Sequence, residues 1–481
     1  MALDLRNWLT KVDELGELNR LERVHWDLEL GCVSNLNVKR GDRRALLFDN
    51  IVDYPKGYRV LTSSITTPSR FALSLGLSPG ISETELYDSI RRDLPRWQNE
   101  MTKYSPRTVK TGSVLENVHS GGDIDLLEFP VPRWHDKDGG RYIGTGCAVI
   151  TRDPETNQAN LGTYRIMVQD KKTTALYSSP GKHGRVQVEK YHAQGQAAPV
   201  AISIGHHPMI FVMAALGAPH LPLSEYEFMS AAMKQPVEVI QEEVTGLPIP
   251  ADAEIVIAGW CPPGKLMPEG PFGEFTGYYG SRRGLAPIIE IERVYHRGDP
   301  IILGAPPERN PNDYSYSLAL FHSAMLHNQL VNNGYPDVKK AWVEERGHFF
   351  LSIISLKQRY AGQSKQVALC AAQSRVLPMG RYVIVVDDDI DPSNINDVIW
   401  AVCTRSDPQT SMDIVQRAWF SPLDPTVPER PAITLRSKAV IDACRPFERR
   451  EEFPDVIYTS PELVQETARK WGGNLHLREK E

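Results

Sequence analysis

The chain lacks the basic runs that nucleic-acid binding would call for. No stretch of Lys or Arg is long enough to track a phosphate backbone, and the net charge of −6 arises from intermixed signs, which excludes a general DNA- or RNA-binding surface. The six cysteines, Cys32, Cys147, Cys261, Cys370, Cys403 and Cys444, are scattered without a C-x-x-C pair. That argues against a zinc knuckle or a disulfide framework and for thiols that are mostly buried, in a reducing compartment. A membrane-length apolar run is also missing, because the longest, residues 199–219, is broken by His206-His207-Pro208. The first ten residues carry Asp4 and Arg6 in an amphipathic pattern rather than the apolar core of a signal peptide. There is no internal repeat and no low-complexity tract. A soluble, cytoplasmic protein of two or three domains is the expectation for 481 residues with this composition.

The most informative segment present is Met267-Pro-Glu-Gly-Pro-Phe-Gly-Glu-Phe-Thr-Gly-Tyr-Tyr-Gly280. It sets Glu269 and Glu274 five residues apart in a backbone that its glycines and prolines bar from helix. A loop shaped this tightly suits aiming side chains at a ligand, which makes the two glutamates acid/base candidates. The same pattern fits a solvated hairpin with an acidic tip, and the segment alone does not separate the two. Arg165, closing Asn157-Gln-Ala-Asn-Leu-Gly-Thr-Tyr-Arg165, supplies a cation that can bind a carboxylate substrate and keep one acid ionised. Asn160, His183 and Glu225 offer an amide oxygen, an imidazole and a carboxylate, a mixed hard set suited to magnesium or manganese with a phosphate completing the shell. Singly, each also reads as a turn asparagine, a hydrogen-bonded histidine or a surface glutamate.

Along the chain, Leu5, Trp8, Leu9, Val12 and Leu15 recur at helical spacing before Gly16 and open a helix-rich N-terminal region. A polar, proline-containing stretch at residues 104–117 reads as a linker into a region of strands, with strand patterns at 253–260 and 287–295. A proline-rich break at 305–312 precedes a helix expected over 314–333, closed by Gly334 and Pro336. The remainder alternates helix and strand. Residues 382–386 form a strand, and residues 394–404 a helix with Val398, Ile399 and Val402 inward. A last helix has Ser460 as cap, Pro461 in its first turn and Gly472 just past its end; it is placed to reach a partner subunit. Asp387, Asp388, Asp389 and Asp391 read as a strand-end turn capping the next helix, since no phosphate-binding glycine loop accompanies them. Gly144-Thr-Gly146 reads as a turn into a strand, His206-His207 as a loop with satisfied imidazoles, and Trp419 and Phe420 as packing of the C-terminal region.

The series N-x-G-x-Y-R, a histidine eighteen residues after the arginine, S-E-Y-E, E-G-P-F-G-E-F-T-G-Y and R-Y-A-G-Q-S-K resembles the UbiD family of decarboxylases that use prenylated FMN. Order, spacing and residue type agree from Leu5 to about Asp442. Within the family the chain is most similar to the phenolic-acid (hydroxybenzoate type) decarboxylases, through 269–279 and 287–297. The resemblance implies an α+β and α/β multidomain fold. Its parts are an N-terminal α/β domain (1–110), a central split β-barrel that binds prenylated FMN (111–305), a C-terminal α/β domain (306–445) and a C-terminal linker and helix (446–481).

The resemblance also implies roles. Arg165, Glu269 and Glu274 form the catalytic network, while Asn160, His183 and Glu225 hold manganese or magnesium against the cofactor phosphate. Tyr164, Arg165 and Lys182 border the cofactor, Lys365 reaches its phosphate, and potassium is an additional ion. The implied reaction is reversible, non-oxidative decarboxylation of an aromatic or α,β-unsaturated acid, foremost a phenolic one. It proceeds through a covalent adduct with the cofactor, and Glu274 donates the proton that replaces carbon dioxide. A flavin prenyltransferase supplies the cofactor, a small accessory subunit is a further partner, and assembly as a homodimer or hexamer is implied. Three other classes fit parts of the pattern: a metal-dependent hydrolase using His183, Glu225 and a glutamate base, an FMN oxidoreductase, for which no dinucleotide site is present, and a non-catalytic flavin-binding scaffold.

Overall fold

The computed structural model describes residues 3–216, 225–281, 283–309, 311–377, 379–421, 423–426, 434–457 and 459–475. Its first helix, Leu5–Glu14, forms where the 3.6-residue apolar spacing predicts it. Asp4 accepts from the Asn7 N–H as N-cap, Leu5, Trp8, Leu9 and Val12 are buried, and Gly16 follows at φ +70°. The N-terminal region is not only helical. Four helices accompany a four-stranded sheet in the order Leu18–Glu22, Ala45–Asp49, Arg59–Thr62 and Ile301–Leu303, and the first of them packs on Leu18–Glu22. The last of these strands lies within the central block of the sequence-based division, yet it pairs in parallel with Arg59–Thr62. The central region is therefore inserted between two strands of the first sheet.

That insertion is built on a ten-stranded antiparallel sheet. Its continuous path runs Arg141–Gly144, Arg165–Val168, Thr173–Tyr177, Gly284–His296, Ile255–Cys261, Ala198–Ile204, Ala148–Arg152 and Ala159–Gly162. Leu266–Glu269 and Asn117–Ser120 add to the long strand Gly284–His296. The strand patterns around 253–260 and 287–295 are realised here. Ala198–Ile204 is buried at every position, as expected of a strand covered on both faces. Alternate residues feed two apolar cores, with Val149, Ile202, Ile257 and Ile289 on one side and Ile150, Ala201, Val256 and Ala258 on the other.

The C-terminal sheet is mixed, in the order Val338–Val343, Leu351–Leu356, Tyr382–Asp387, Thr434–Ala443 and Met412–Phe420. A twenty-residue helix, Asp313–Asn332, joins it to the rest by packing on both Glu83–Glu100 and Val338–Val343. Asn312 and Ser315 form a reciprocal cap at its start, and the buried Asp313 carboxylate accepts from Ser64 Oγ and the Ile65 N–H, each at 2.9 Å. Among the described residues no helix is long and apolar enough to cross a membrane, and all six cysteines are free.

Several local expectations shift. In Ile395–Arg405, Val398 and Ala401 point inward while Ile399 is exposed, because 3.6-residue periodicity places Ile399 about 100° from Val398. Asn394, rather than the aspartates, caps this helix, while Asp387 and Asp389 pair with Arg405 at 3.1 and 2.8 Å. The last helix, Pro461–Leu475, continues through Gly472. His206 and His207 are buried, and burial pushes both imidazoles down to about 3, yet His206 Nε2 has no hydrogen-bond partner among the described residues.

Candidate active site

Between the central sheet and the C-terminal sheet lies a cavity of about 730 Å³. One wall comes from the central strands and the turn that follows them, through Asn160–Arg165 and Tyr177–His183. A second is the hairpin carrying Phe272–Phe275, and a third is C-terminal, with Arg375, Leu377, Trp419 and Lys438. A volume of this size holds a molecule larger than a simple aromatic acid.

The acidic segment enters this cavity because of its backbone. Leu266–Glu269 runs antiparallel to the long central strand, so that Glu269 pairs opposite Gly284 and is buried. The chain then turns through Gly270 and Pro271 into a hairpin in which Phe272 faces Ser281 and Gly273 faces Tyr279. The Glu274 N–H donates to the Tyr278 carbonyl at 2.8 Å, and the Gly277 N–H donates to the Glu274 carbonyl at 2.9 Å. Gly277 sits at φ +77°, and a Cβ there would meet Arg309 Cγ at 2.7 Å. The hairpin turns Glu274 into the cavity and leaves Glu269 behind it.

Arg165 joins the two acids. Its Nε and one Nη donate to the Glu269 oxygens at 2.8 and 2.7 Å, a bidentate pair, while its other Nη donates to Glu274 at 3.2 Å. The guanidinium stacks 3.9 Å from the Tyr177 ring centroid. Burial works against its charge, but Glu274 and Glu269 outweigh that and hold its pKa above the ordinary arginine value. Tyr142 donates to Glu269 at 3.1 Å and stacks on Phe272 with ring centroids 3.8 Å apart. Two acids five residues apart and an arginine about a hundred residues earlier thus form one network, with Glu274 as the acid that lines the cavity.

Asn160, Tyr164, Lys182, His183 and Glu225 line the same cavity. Asn160 lies in the strand Ala159–Gly162, and His183 opens the helix His183–Ala193 with Lys182 before it. Leu161 N–H donates to Glu225 at 2.9 Å, fastening that carboxylate against the strand that carries Asn160. Glu225 has no cation near it among the described residues, and burial pushes it up to about 7. An amide oxygen, an imidazole and a carboxylate short of positive charge fit a hard dication, whose approach would return Glu225 to its ionised form. Tyr164 is wedged between two glycines. A Cβ on Gly162 would lie 2.3 Å from its ring and one on Gly184 2.6 Å, and its hydroxyl accepts from the Gly184 N–H at 3.0 Å. Its role in the structure is to hold the helix start against the strand.

Lys365 is not brought to the others. Its side chain is half exposed, its ammonium lies 2.9 Å from Asp413, and it is absent from the cavity wall. The lysine that the C-terminal sheet presents there is Lys438, which donates to the Ala372 carbonyl at 2.6 Å and is pushed down to about 8 by burial. His322, also on the wall, is driven down to about 4 by burial, with the charge of Lys182 adding to the effect. Sequence reading passed over both. The only signal for His322 was a histidine directly after the apolar run Leu318-Ala-Leu-Phe321, and Lys438 sits in an ordinary strand pattern. Phe420 packs in the core as expected, but Trp419 is exposed and borders the cavity.

Comparison with known proteins bears on this geometry. Three family models of the 3-octaprenyl-4-hydroxybenzoate carboxy-lyase match in succession: its N-terminal domain at residues 9–93, its Rift-related domain at 107–310 and its C-terminal domain at 315–443. The phenolic acid decarboxylase of Sedimentibacter hydroxybenzoicus is 33% identical over 459 residues, covering 92% of each chain. Vanillic acid decarboxylase of the same organism, in its closed form, superposes with a TM-score of 0.82 at 30% identity over 99% of both chains. The UbiD-class enzyme HmfF from Pelotomaculum thermopropionicum, in complex with FMN, gives a TM-score of 0.83 at 26% identity, covering 96% of this chain and 98% of that one.

Proposed function

This chain belongs to the UbiD family of carboxy-lyases, and on that premise we propose that it decarboxylates a phenolic, hydroxybenzoate-type acid with prenylated FMN as cofactor. The observation that carries the proposal is the Arg165 guanidinium held between buried Glu269 and cavity-facing Glu274. The FMN bound by HmfF supports a flavin in the cavity, and the names of the Sedimentibacter relatives support a phenolic substrate. The ten-stranded sheet is read as the flavin-binding split barrel of a central domain spanning 111–305, flanked by domains at 1–110 and 306–445 and the segment 446–481.

Asn160, His183 and Glu225 would hold manganese or magnesium at the cofactor phosphate, with Lys182 adding a second positive group. When bound, the cofactor supplies an electron sink for the pair left on an aromatic carbon after carbon dioxide departs. The chain's own groups do the rest. Arg165 orients the substrate carboxylate, and Glu269, by taking two donors along one of its edges, fixes the guanidinium plane. Glu274, which faces the cavity, is the acid placed to give its proton to the ring carbon and recover one afterwards. Phe272, Tyr177 and the C-terminal wall shield these charges from water, which strengthens each interaction. Assembly of like chains is supported by the helix Pro461–Leu475, which leaves Leu463, Val464 and Trp471 exposed.

The test is to produce the protein together with a flavin prenyltransferase, supply manganese, and identify the released ligand by mass spectrometry. Near-stoichiometric prenylated FMN, with carbon dioxide release from a panel of hydroxybenzoates, is expected. Bound metal without any flavin overturns the assignment.

A further inference from the structure

A second group of metal-ligating side chains lies away from the cavity, and none of its members lines that wall. The strand Asn117–Ser120 pairs with the end of the long strand so that His119 faces Val294 and Asn117 faces His296. His119 and His296 are therefore diagonal neighbours on one face of the ladder, their rings 5.0 Å apart and perpendicular. The short 3-10 turn Leu126–Glu128 brings Glu128 over the pair, with its Oε1 3.2 Å from His119 Nδ1. One ligand atom from each of the three residues lies within 4.8 Å of the other two.

The hydrogen bonding points the same way. His296 is buried, and its Nδ1 lies 2.8 Å from the Arg297 carbonyl oxygen. A carbonyl only accepts, so Nδ1 carries the hydrogen and Nε2 keeps a bare lone pair. That Nε2 is buried with no hydrogen-bond partner among the described residues, while His119 Nδ1 and Glu128 Oε1 face each other at 3.2 Å beside it. An orphaned buried lone pair is costly unless something binds it, and a cation placed here would be shared with the His119 and Glu128 atoms. A backbone carbonyl fixing the far nitrogen of a ligating imidazole is the usual outer-shell arrangement at metal centres. The 3.2 Å separation of His119 and Glu128 is close to the edge of a ligand tetrahedron around zinc, roughly 3.3 Å for bonds near 2.0 Å. Phe129 packs edge-on to His296 at 5.4 Å on the inner side, while the His119 and Glu128 side chains are 26% and 25% exposed, leaving a solvent path to a fourth position.

We propose that His119, Glu128 and His296 form a second metal site, specific for a zinc-class dication, with water as the fourth ligand. Two imidazoles and one carboxylate favour zinc, cobalt or nickel over magnesium or calcium, which want all-oxygen shells. Bound there, the ion ties the first strand of the central region to the end of its longest strand.

The test uses full-length protein stripped with a chelator and dialysed against zinc. If the cavity donors Asn160, His183 and Glu225 also take zinc, wild type holds two ions per chain, His119→Asn and His183→Ala one each, and the double variant none. Should the cavity hold none, wild type still carries one ion that His119→Asn removes, so the failure of either site is separately visible. Glu128→Gln serves as a second variant if His119→Asn unfolds. In the His183→Ala background each is expected to weaken zinc binding at least about a hundredfold. Zinc is also expected to raise the melting temperature of the His183→Ala chain but not of His183→Ala/His119→Asn. Cobalt should give visible absorption bands that vanish with His119→Asn. Zinc content unchanged by both His119→Asn and Glu128→Gln overturns the site, and leaves the three residues as an ion pair beside a buried histidine.

Discussion

Replacing Glu274 with Gln separates chemistry from structure at this site. The amide keeps the side-chain volume, and its oxygen can still accept from Arg165, which donates to Glu274 at 3.2 Å. Arg165 keeps its bidentate pair with Glu269 at 2.8 and 2.7 Å, so no uncompensated charge is left buried. The penalty of about 3–5 kcal/mol for breaking a buried ion pair does not apply. Exchanging a charged acceptor for a neutral one costs about 1 kcal/mol, within reach of a multidomain protein. Loss of a positioned proton donor, by contrast, lowers turnover by about 10²–10⁴, or roughly 3–5 kcal/mol of barrier. Glu274→Gln is therefore expected to retain fold, metal and flavin, measured by urea unfolding and mass spectrometry, while carbon dioxide release falls by at least about a hundredfold. Turnover within threefold of wild type would refute Glu274 as the acid. Loss of flavin in step with activity would refute it too, by showing that the residue acts in binding.

Other perturbations test the remaining parts. His183→Ala is expected to lose cavity metal and flavin together in mass spectra, and retention of both would sink the clamp. Glu225, pushed up to about 7, is protonated below that pH in the metal-free site, so manganese binding must release its proton. Through this group, affinity measured by titration should fall about threefold from pH 7.5 to 6.5 and roughly eightfold more to 5.5, and a flat profile would contradict the assignment. Gly162→Ala puts a Cβ 2.3 Å from the Tyr164 ring and should destabilise the protein by about 1–3 kcal/mol in chemical denaturation, with loss of flavin. Lys438, at about 8, has a folded pKa below its unfolded one, so charging it in the folded state carries a penalty that is full below pH 8 and fades as pH rises toward about 10.4. Relative to Lys438→Met, wild type should thus gain stability between pH 7 and 9.5. A constant difference would mean that Lys438 is not held in a desolvated state.

Much of the site was legible before the fold was known, because its chemistry is local. Glu269 and Glu274 stand in a segment whose glycines and prolines leave few backbone paths, and Arg165 ends a motif of fixed spacing. Legibility failed where placement depends on partners far along the chain. Lys365 follows a recognisable motif, yet its position on the surface of Gln363–Ala372 gives it to Asp413 instead of the cavity. Lys438 and His322 look like interior positions of a strand and a helix, and only the packing of three regions turns them toward one space. Ile301–Leu303 reads as the end of the central region, but register with Arg59–Thr62, some 240 residues earlier, makes it part of the first sheet. Diagonal pairing that brings His119 beside His296 likewise has no trace in spacing.

The sequence by itself determined helix starts, the acidic hairpin and the donor types, since caps, periodicity and φ-restricted residues act over a few bonds. Tertiary structure alone decided which acid faces the cavity, which lysine of the C-terminal sheet lines it and which histidines meet. Those outcomes depend on strand register and on burial, and both are set by contacts between segments more than a hundred residues apart.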